Sequence, residues 1–212
     1  MNSRLLAFLV ACGFVLASCG QPPEVVTEIE EAPTVVPEIP DRGRDWRRMD
    51  LDQLKLSIER VTGGVGWTGA DGRELVNLFD ELALTLGKPD YVDTTYEDLD
   101  PSLLFQKFLA DAANGICEEF IRVESTSDPD NRLLAYQLEW TDTWEVAPDK
   151  IRIALARAIL RFHGREVAAE AAEIDEWAWL LRSVTHVTDG TTQSAWSAVC
   201  VALITHPDFY MY

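Results

Sequence analysis

The chain has 212 residues, with 18 basic and 36 acidic side chains and a net charge of −18. That balance argues against DNA or RNA as a partner, because phosphate binding needs the opposite sign. It argues equally against a charge-driven grip on anionic lipid.

Arg4 precedes an apolar run, Leu5 to Leu16, which ends in Leu16-Ala17-Ser18-Cys19-Gly20. A short positive end, a short apolar core and small residues before a cysteine form an export signal of the lipoprotein type. A transmembrane helix is the competing reading, but the run is about a dozen residues where a span needs roughly 20. On the lipoprotein reading, residues 1–18 are the signal peptide and cleavage follows Ser18. The Cys19 thiol then carries diacylglycerol and its new amino group is acylated. Each buried methylene adds ~0.8 kcal/mol of membrane affinity, so several acyl chains anchor stably in the bilayer. Gly20, in place of an Asp that would retain the protein at an inner membrane, favours the outer membrane. Removing residues 1–18 removes one basic residue (Arg4) and no acidic one, which takes the net charge from −18 to −19.

Residues 19–45 read as a disordered tether. Pro22, Pro23, Pro33, Pro37 and Pro40 alternate with Glu24, Glu28, Glu30, Glu31 and Glu38. Proline keeps such a chain extended, like charges repel, and little apolar surface offsets the ordering entropy. At ~3 Å per residue the segment reaches several nanometres from the bilayer. A proline-rich docking peptide is the rival reading. At its end Arg42, Arg44, Arg47 and Arg48 form the one basic cluster, facing either lipid headgroups or the domain's own acidic surface, the second being preferred.

Residues 46–212 are expected to form a single helical domain, long enough for a core without staples. Asp50 with Gln53 resembles a capping box ahead of Leu51, Leu54 and Ile58. Gly63-Gly64-Val65-Gly66 breaks the chain. It lacks the Gly-Lys-Ser/Thr ending of a phosphate loop and reads as a tight turn. Asp71 with Glu74 predicts a second helix, with Leu75, Leu78, Phe79, Leu82 and Leu86 on one face and Gly87 as its stop. The acidic stretch Asp90, Asp93, Glu97, Asp98 and Asp100 has no EF-hand spacing and reads as a solvated loop.

The third helix is the clearest: Asp100 as cap, Pro101 in the first turn, then Leu104, Phe105, Phe108, Leu109, Ala112, Ile116 and Phe120. Ser125 to Asp130 is a loop by composition, and Leu133 to Leu138 reads as a short helix in preference to a strand. Three more helices follow: Pro148 to His163 with Gly164 as stop, about Ala171 to His186, and one from near Thr191 that Pro207 ends. Six or seven helices and no convincing strand set predict an all-α, irregular bundle.

Cys12 leaves with the signal and Cys19 is lipidated, so Cys117 and Cys200 remain as a pair in an oxidising compartment. They are read as a disulfide, the alternative being two buried thiols on apolar helix faces. There is no C-x-x-C-H haem attachment, and two isolated thiols with three scattered histidines give no zinc spacing. His163, His186 and His206 stand near three helix ends, where a cation meets the helix dipole favourably. Whether they converge is open at this level. Trp140, Trp144, Trp177, Trp179 and Trp196 are read as core and near-surface packing, with an aromatic groove as the rival. Trp177 and Trp179 cannot share a helix face.

Leu160-Arg161-Phe162-His163-Gly164-Arg165 and the stretch from Trp196 to Phe209 resemble helices of the cytochrome-associated domains of unknown function found in planctomycetes and myxobacteria. Leu84-Thr85-Leu86-Gly87-Lys88-Pro89-Asp90-Tyr91, within Leu82 to Cys117, is similar to uncharacterised envelope lipoproteins of myxobacteria. The resemblance implies a helical envelope protein with no established chemistry. Its larger relatives carry haem modules, which this chain lacks at the motif level.

These readings give a membrane-anchored lipoprotein held to the bilayer through acylated Cys19, with a protein partner in the envelope and no nucleic acid. No catalytic, cofactor or metal residues are assigned, so a non-catalytic interaction domain is preferred. An enzyme with a dispersed acidic and histidine site, or an accessory subunit of an envelope redox complex, is the alternative.

Overall fold

The computed structural model describes residues 46–71, 74–89, 92, 95–188 and 191–212. The expected signal peptide and tether, with Cys19, Arg42 and Arg44, and the residues Asp90 and Asp93 lie outside the described residues.

Helix α1 spans Leu51–Val61, and the Asp50 carboxylate caps it by accepting the Gln53 amide at 2.7 Å. Leu51, Leu54, Ile58 and Val61 are its buried face. Gly63 and Gly64 then reverse the chain at φ 73° and 99°. A small hairpin follows, which the sequence reading lacked. Strand β1 (Thr68–Asp71) pairs antiparallel with β2 (Glu74–Asn77), Thr68 opposite Asn77. The expected long second helix is therefore corrected. Asn77 sits next to the apolar stripe and accepts the Asp80 amide, so α2 begins at Leu78 and ends at Ala83. A 3₁₀ turn, Leu84–Leu86, runs on to left-handed Gly87.

Helix α3 spans Leu103–Ser125 and its cap is Ser102, whose hydroxyl accepts the Phe105 amide at 3.1 Å. This corrects the expected Asp100 cap and Pro101 first turn. Leu104, placed on the core face by periodicity, is 57% exposed because it lies in the first turn, ahead of the buried face that begins at Phe105. The remaining stripe from Phe105 to Phe120 is buried as expected.

The segment from 126 to 147 is turns and one 3₁₀ turn, Pro129–Asn131, with no helix at 133–138. Buried Glu124 explains this. Its carboxylate accepts the amides of Leu133, Leu134 and Ala135 at 2.5, 2.8 and 3.1 Å. Those amides converge on one anion instead of joining a helical ladder. Arg132, also buried, donates to the carbonyls of Glu124, Ser127 and Leu138 and lies over the Trp140 ring.

Helix α4 is Pro148–His163, stopped by left-handed Gly164. Helices α5 (Ala172–Val187) and α6 (Thr192–Thr205) follow, and Pro207 opens a short α7, Pro207–Tyr210. Helix α6 packs on α3, α4 and α5, which places Trp196 at the centre of the core with no solvent exposure. The fold is an all-α irregular bundle with one small hairpin. No helix among the described residues is long and apolar enough to cross a membrane.

The two ends of the domain are sewn together. Arg47 and Tyr212 exchange backbone hydrogen bonds at 3.3 and 3.0 Å, and the Met49 amide donates to the Tyr210 carbonyl at 2.7 Å. Here Arg48 meets Glu97, so part of the basic cluster faces the domain's own acidic segment. Glu97 is consequently buried, not solvated as its acidic neighbourhood predicts.

Candidate functional site

Cys117 on α3 and Cys200 on α6 form a disulfide with Cα atoms 5.8 Å apart, closing a separation of 83 residues. Both cysteines are fully buried, so this bridge is a core staple and not an accessible redox centre.

Chemistry-bearing side chains gather at the far end of α4. His163 is the last residue of α4, and its ring reaches across to α6. Its Nε2 lies 3.0 Å from the Leu203 carbonyl, an acceptor only, so Nε2 carries the proton. Its Nδ1 therefore presents a lone pair, and that atom is buried without a hydrogen-bond partner. Burial pushes the His163 pKa down, the Leu203 carbonyl opposes this in part, and nearby His206 lowers it further.

The His206 ring stacks on His163 with centroids 4.8 Å apart and planes at 27°. Trp177 of α5 closes the aromatic group, 6.0 Å from His163 and 6.2 Å from His206. His206 joins α6 to α7, and its Nδ1 accepts the Asp208 amide at 3.1 Å. Asp208 Oδ2 lies 3.8 Å from that Nδ1 and accepts from Arg165 Nε at 3.0 Å. Arg165 is held in turn by Glu173, its Nη2 2.5 Å from Oε1, and this pairing raises its pKa.

Two of the three predicted helix-end histidines thus come together, while His186 stays exposed near the end of α5. The capping reading is corrected for His163, which bonds a carbonyl of another helix and not its own. His206 does cap, at the start of α7. Asp208, Arg165 and Glu173 were not singled out by the sequence. The signal available was the local triplet His206-Pro207-Asp208, too short to mark a site without knowing that His163 lies above it.

The tryptophans do not form one groove. Trp196 is buried, Trp140 lies under Arg132, and Trp144 lies under both Arg152 and Arg182. Two shallow hollows flank α4. One of about 310 Å³ is lined by Asp149, Arg152, Ile153, Ala169 and Glu170. The other, about 210 Å³, lies along Ile153, Ala156 and Leu160, with the charged Arg157 and Glu166 at its sides. Neither includes a histidine.

The chain matches no protein-family model, no curated protein and no solved structure.

Proposed function

We propose that the chain is a bacterial lipoprotein, acylated at Cys19, whose helical domain works by protein contact in the cell envelope, with the outer membrane as its favoured site. The disulfide between Cys117 and Cys200 carries this reading. Such bonds persist in oxidising compartments outside the cytosol, where a chain that opens on a lipoprotein export signal is delivered. A contact role is supported by apolar side chains left in solvent along α4, where Ile153 is 48% and Leu160 is 49% exposed. The hollow beside them is shallow and open, its apolar floor flanked by Arg157 and Glu166, unlike an enclosed site with convergent polar groups.

Mass spectrometry of the amino-terminal peptide from the native membrane tests the anchor. A triacylated Cys19 as first residue is expected, with release of a Cys19→Ser variant from the membrane. An unmodified peptide beginning at Met1 overturns the anchor. Affinity capture from detergent-solubilised membranes tests the role. A stoichiometric partner lost on Ile153→Asp with Leu160→Asp is expected, and repeated recovery of the chain alone overturns the contact reading.

A further inference from the structure

We infer that His163, His206 and Asp208 form a binding site for one borderline transition-metal dication of the zinc type, which would tie the end of α4 to the junction of α6 and α7. Each residue offers one ligand atom, and these atoms lie within 4.8 Å of one another. Two imidazoles with one carboxylate are a donor set that suits such an ion, leaving a fourth position for water.

The packing of the three side chains is otherwise only partly explained. His206 is accounted for by its cap on α7, and Asp208 by its ion pair with Arg165. Nothing accounts for the Nδ1 atom of His163. A buried acceptor without a partner costs about 1–3 kcal/mol, and a phenylalanine in its place would have none of that penalty. The other nitrogen, donating to Leu203, has the outer-shell arrangement of a metal-bound histidine: a backbone carbonyl fixes the tautomer and leaves the Nδ1 lone pair for an ion.

The lone pair of His206 Nδ1 is already turned toward the Asp208 side, and ligation there exchanges the Asp208 amide for the ion. Asp208 supplies the negative charge. Arg165 lies against it but is shared with Glu173, so these three side chains together carry a net charge of −1. Tetrahedral ligation at ~2.1 Å puts ligand atoms about 3.4 Å apart, so closure on the ion asks for a movement on the order of 1.5 Å. His206 and Asp208 have side chains 39% and 41% exposed, which gives the ion access and gives these two residues room to move.

The test uses the full chain purified in detergent, stripped with chelator and titrated with ZnCl2 by calorimetry. The same preparation is titrated with Co²⁺ and followed by visible absorption. About one equivalent of zinc is expected, with Co²⁺ giving the intense d–d bands of a four-coordinate site. His163→Phe and Asp208→Asn should each weaken zinc binding about 100-fold or more, the upper end of what loss of an outer-shell partner costs. His186→Phe should leave it unchanged. Asp208 is exposed enough that its substitution keeps the fold, which circular dichroism checks, so the test stands even if His163→Phe unfolds. No zinc uptake by the wild-type chain at 100-fold molar excess overturns the site. Uptake that survives Asp208→Asn and His163→Phe in folded protein, or is lost with His186→Phe, overturns it as well.

Discussion

Arg48 and Glu97 form an ion pair, Nη1 to Oε1 2.5 Å, with side chains only 2% and 8% exposed. The same guanidinium donates to the carbonyls of Met49 and Asp98 and lies over the Phe105 ring, 4.6 Å from its centre. Glu97 in turn accepts the Leu51 amide at the start of α1. One pair therefore joins the entry of the domain, the acidic segment, α1 and α3. It sits where the tether, on the lipoprotein reading, meets the folded body.

Arg48→Ala should destabilise the domain by about 3–5 kcal/mol, because it leaves Glu97 buried and unpaired. Arg48→Met with Glu97→Gln should recover a substantial part, since an apolar stem then fills the same volume beside a neutral acceptor that still serves Leu51. Urea unfolding of wild type, Arg48→Met, Glu97→Gln and the pair closes a double-mutant cycle and measures the coupling. Additive losses would show that the pair does not act as a unit.

Glu124 is a second buried carboxylate with a different task. It holds three consecutive amides of the 133–135 segment. Hydrogen bonds to a charged acceptor are worth about 1.5–3 kcal/mol each, and the three share one ion. Glu124→Ala should therefore cost at least about 3 kcal/mol. It should also raise amide exchange at Leu133, Leu134 and Ala135 above that of α4. Equal acceleration across all helices would point to global unfolding alone.

Removing the disulfide by Cys117→Ala with Cys200→Ala should lower stability by about 4 kcal/mol in the chain-entropy account, given the 83-residue separation. Both sites are fully buried in the α3–α6 contact, so the paired alanines also lose packing. The fall in midpoint denaturant concentration between oxidised wild type and the double variant reads the sum. A shift that vanishes when wild type is reduced assigns the effect to the covalent link and not to side-chain volume.

How far the sequence disclosed this fold follows from the range of each interaction. Helices α1, α4, α5 and α6 were legible because their stripes and stops are local: Leu51, Leu54 and Ile58, or Ile151 to Phe162 before Gly164. The hairpin at 68–77 was not, since Asp71 and Glu74 imitate a capping box while Asn77 does the capping. The turns at 126–147 depend on Glu124, which periodicity places on a helix face with no hint of the loop it gathers. Arg48 with Glu97, and His163 with His206, are 49 and 43 residues apart, and such pairings leave no trace in spacing. The disulfide is an exception: the lipoprotein reading assigns Cys12 to the signal and Cys19 to acylation, which leaves Cys117 and Cys200 to pair.

Gly115 lies in the middle of α3, where a glycine weakens a helix by about 1 kcal/mol relative to alanine, so exposed helix positions gain from the exchange. Here the sign should reverse. A Cβ on Gly115 would stand 2.7 Å from Trp67 Nε1 and 2.8 Å from its Cδ1. Trp67 has little room to yield, because its ring meets Phe108 edge-on at 5.7 Å and Phe108 meets Phe79 at 4.9 Å. Gly115→Ala should thus push the indole off the helix and cost about 1–3 kcal/mol, as overpacking does. In the paired variant Gly115→Ala with Trp67→Leu the clash is gone and the helix propensity gain should appear. Thermal unfolding separates the two. A stabilised single variant would mean that Trp67 does not rest on the bare backbone of α3.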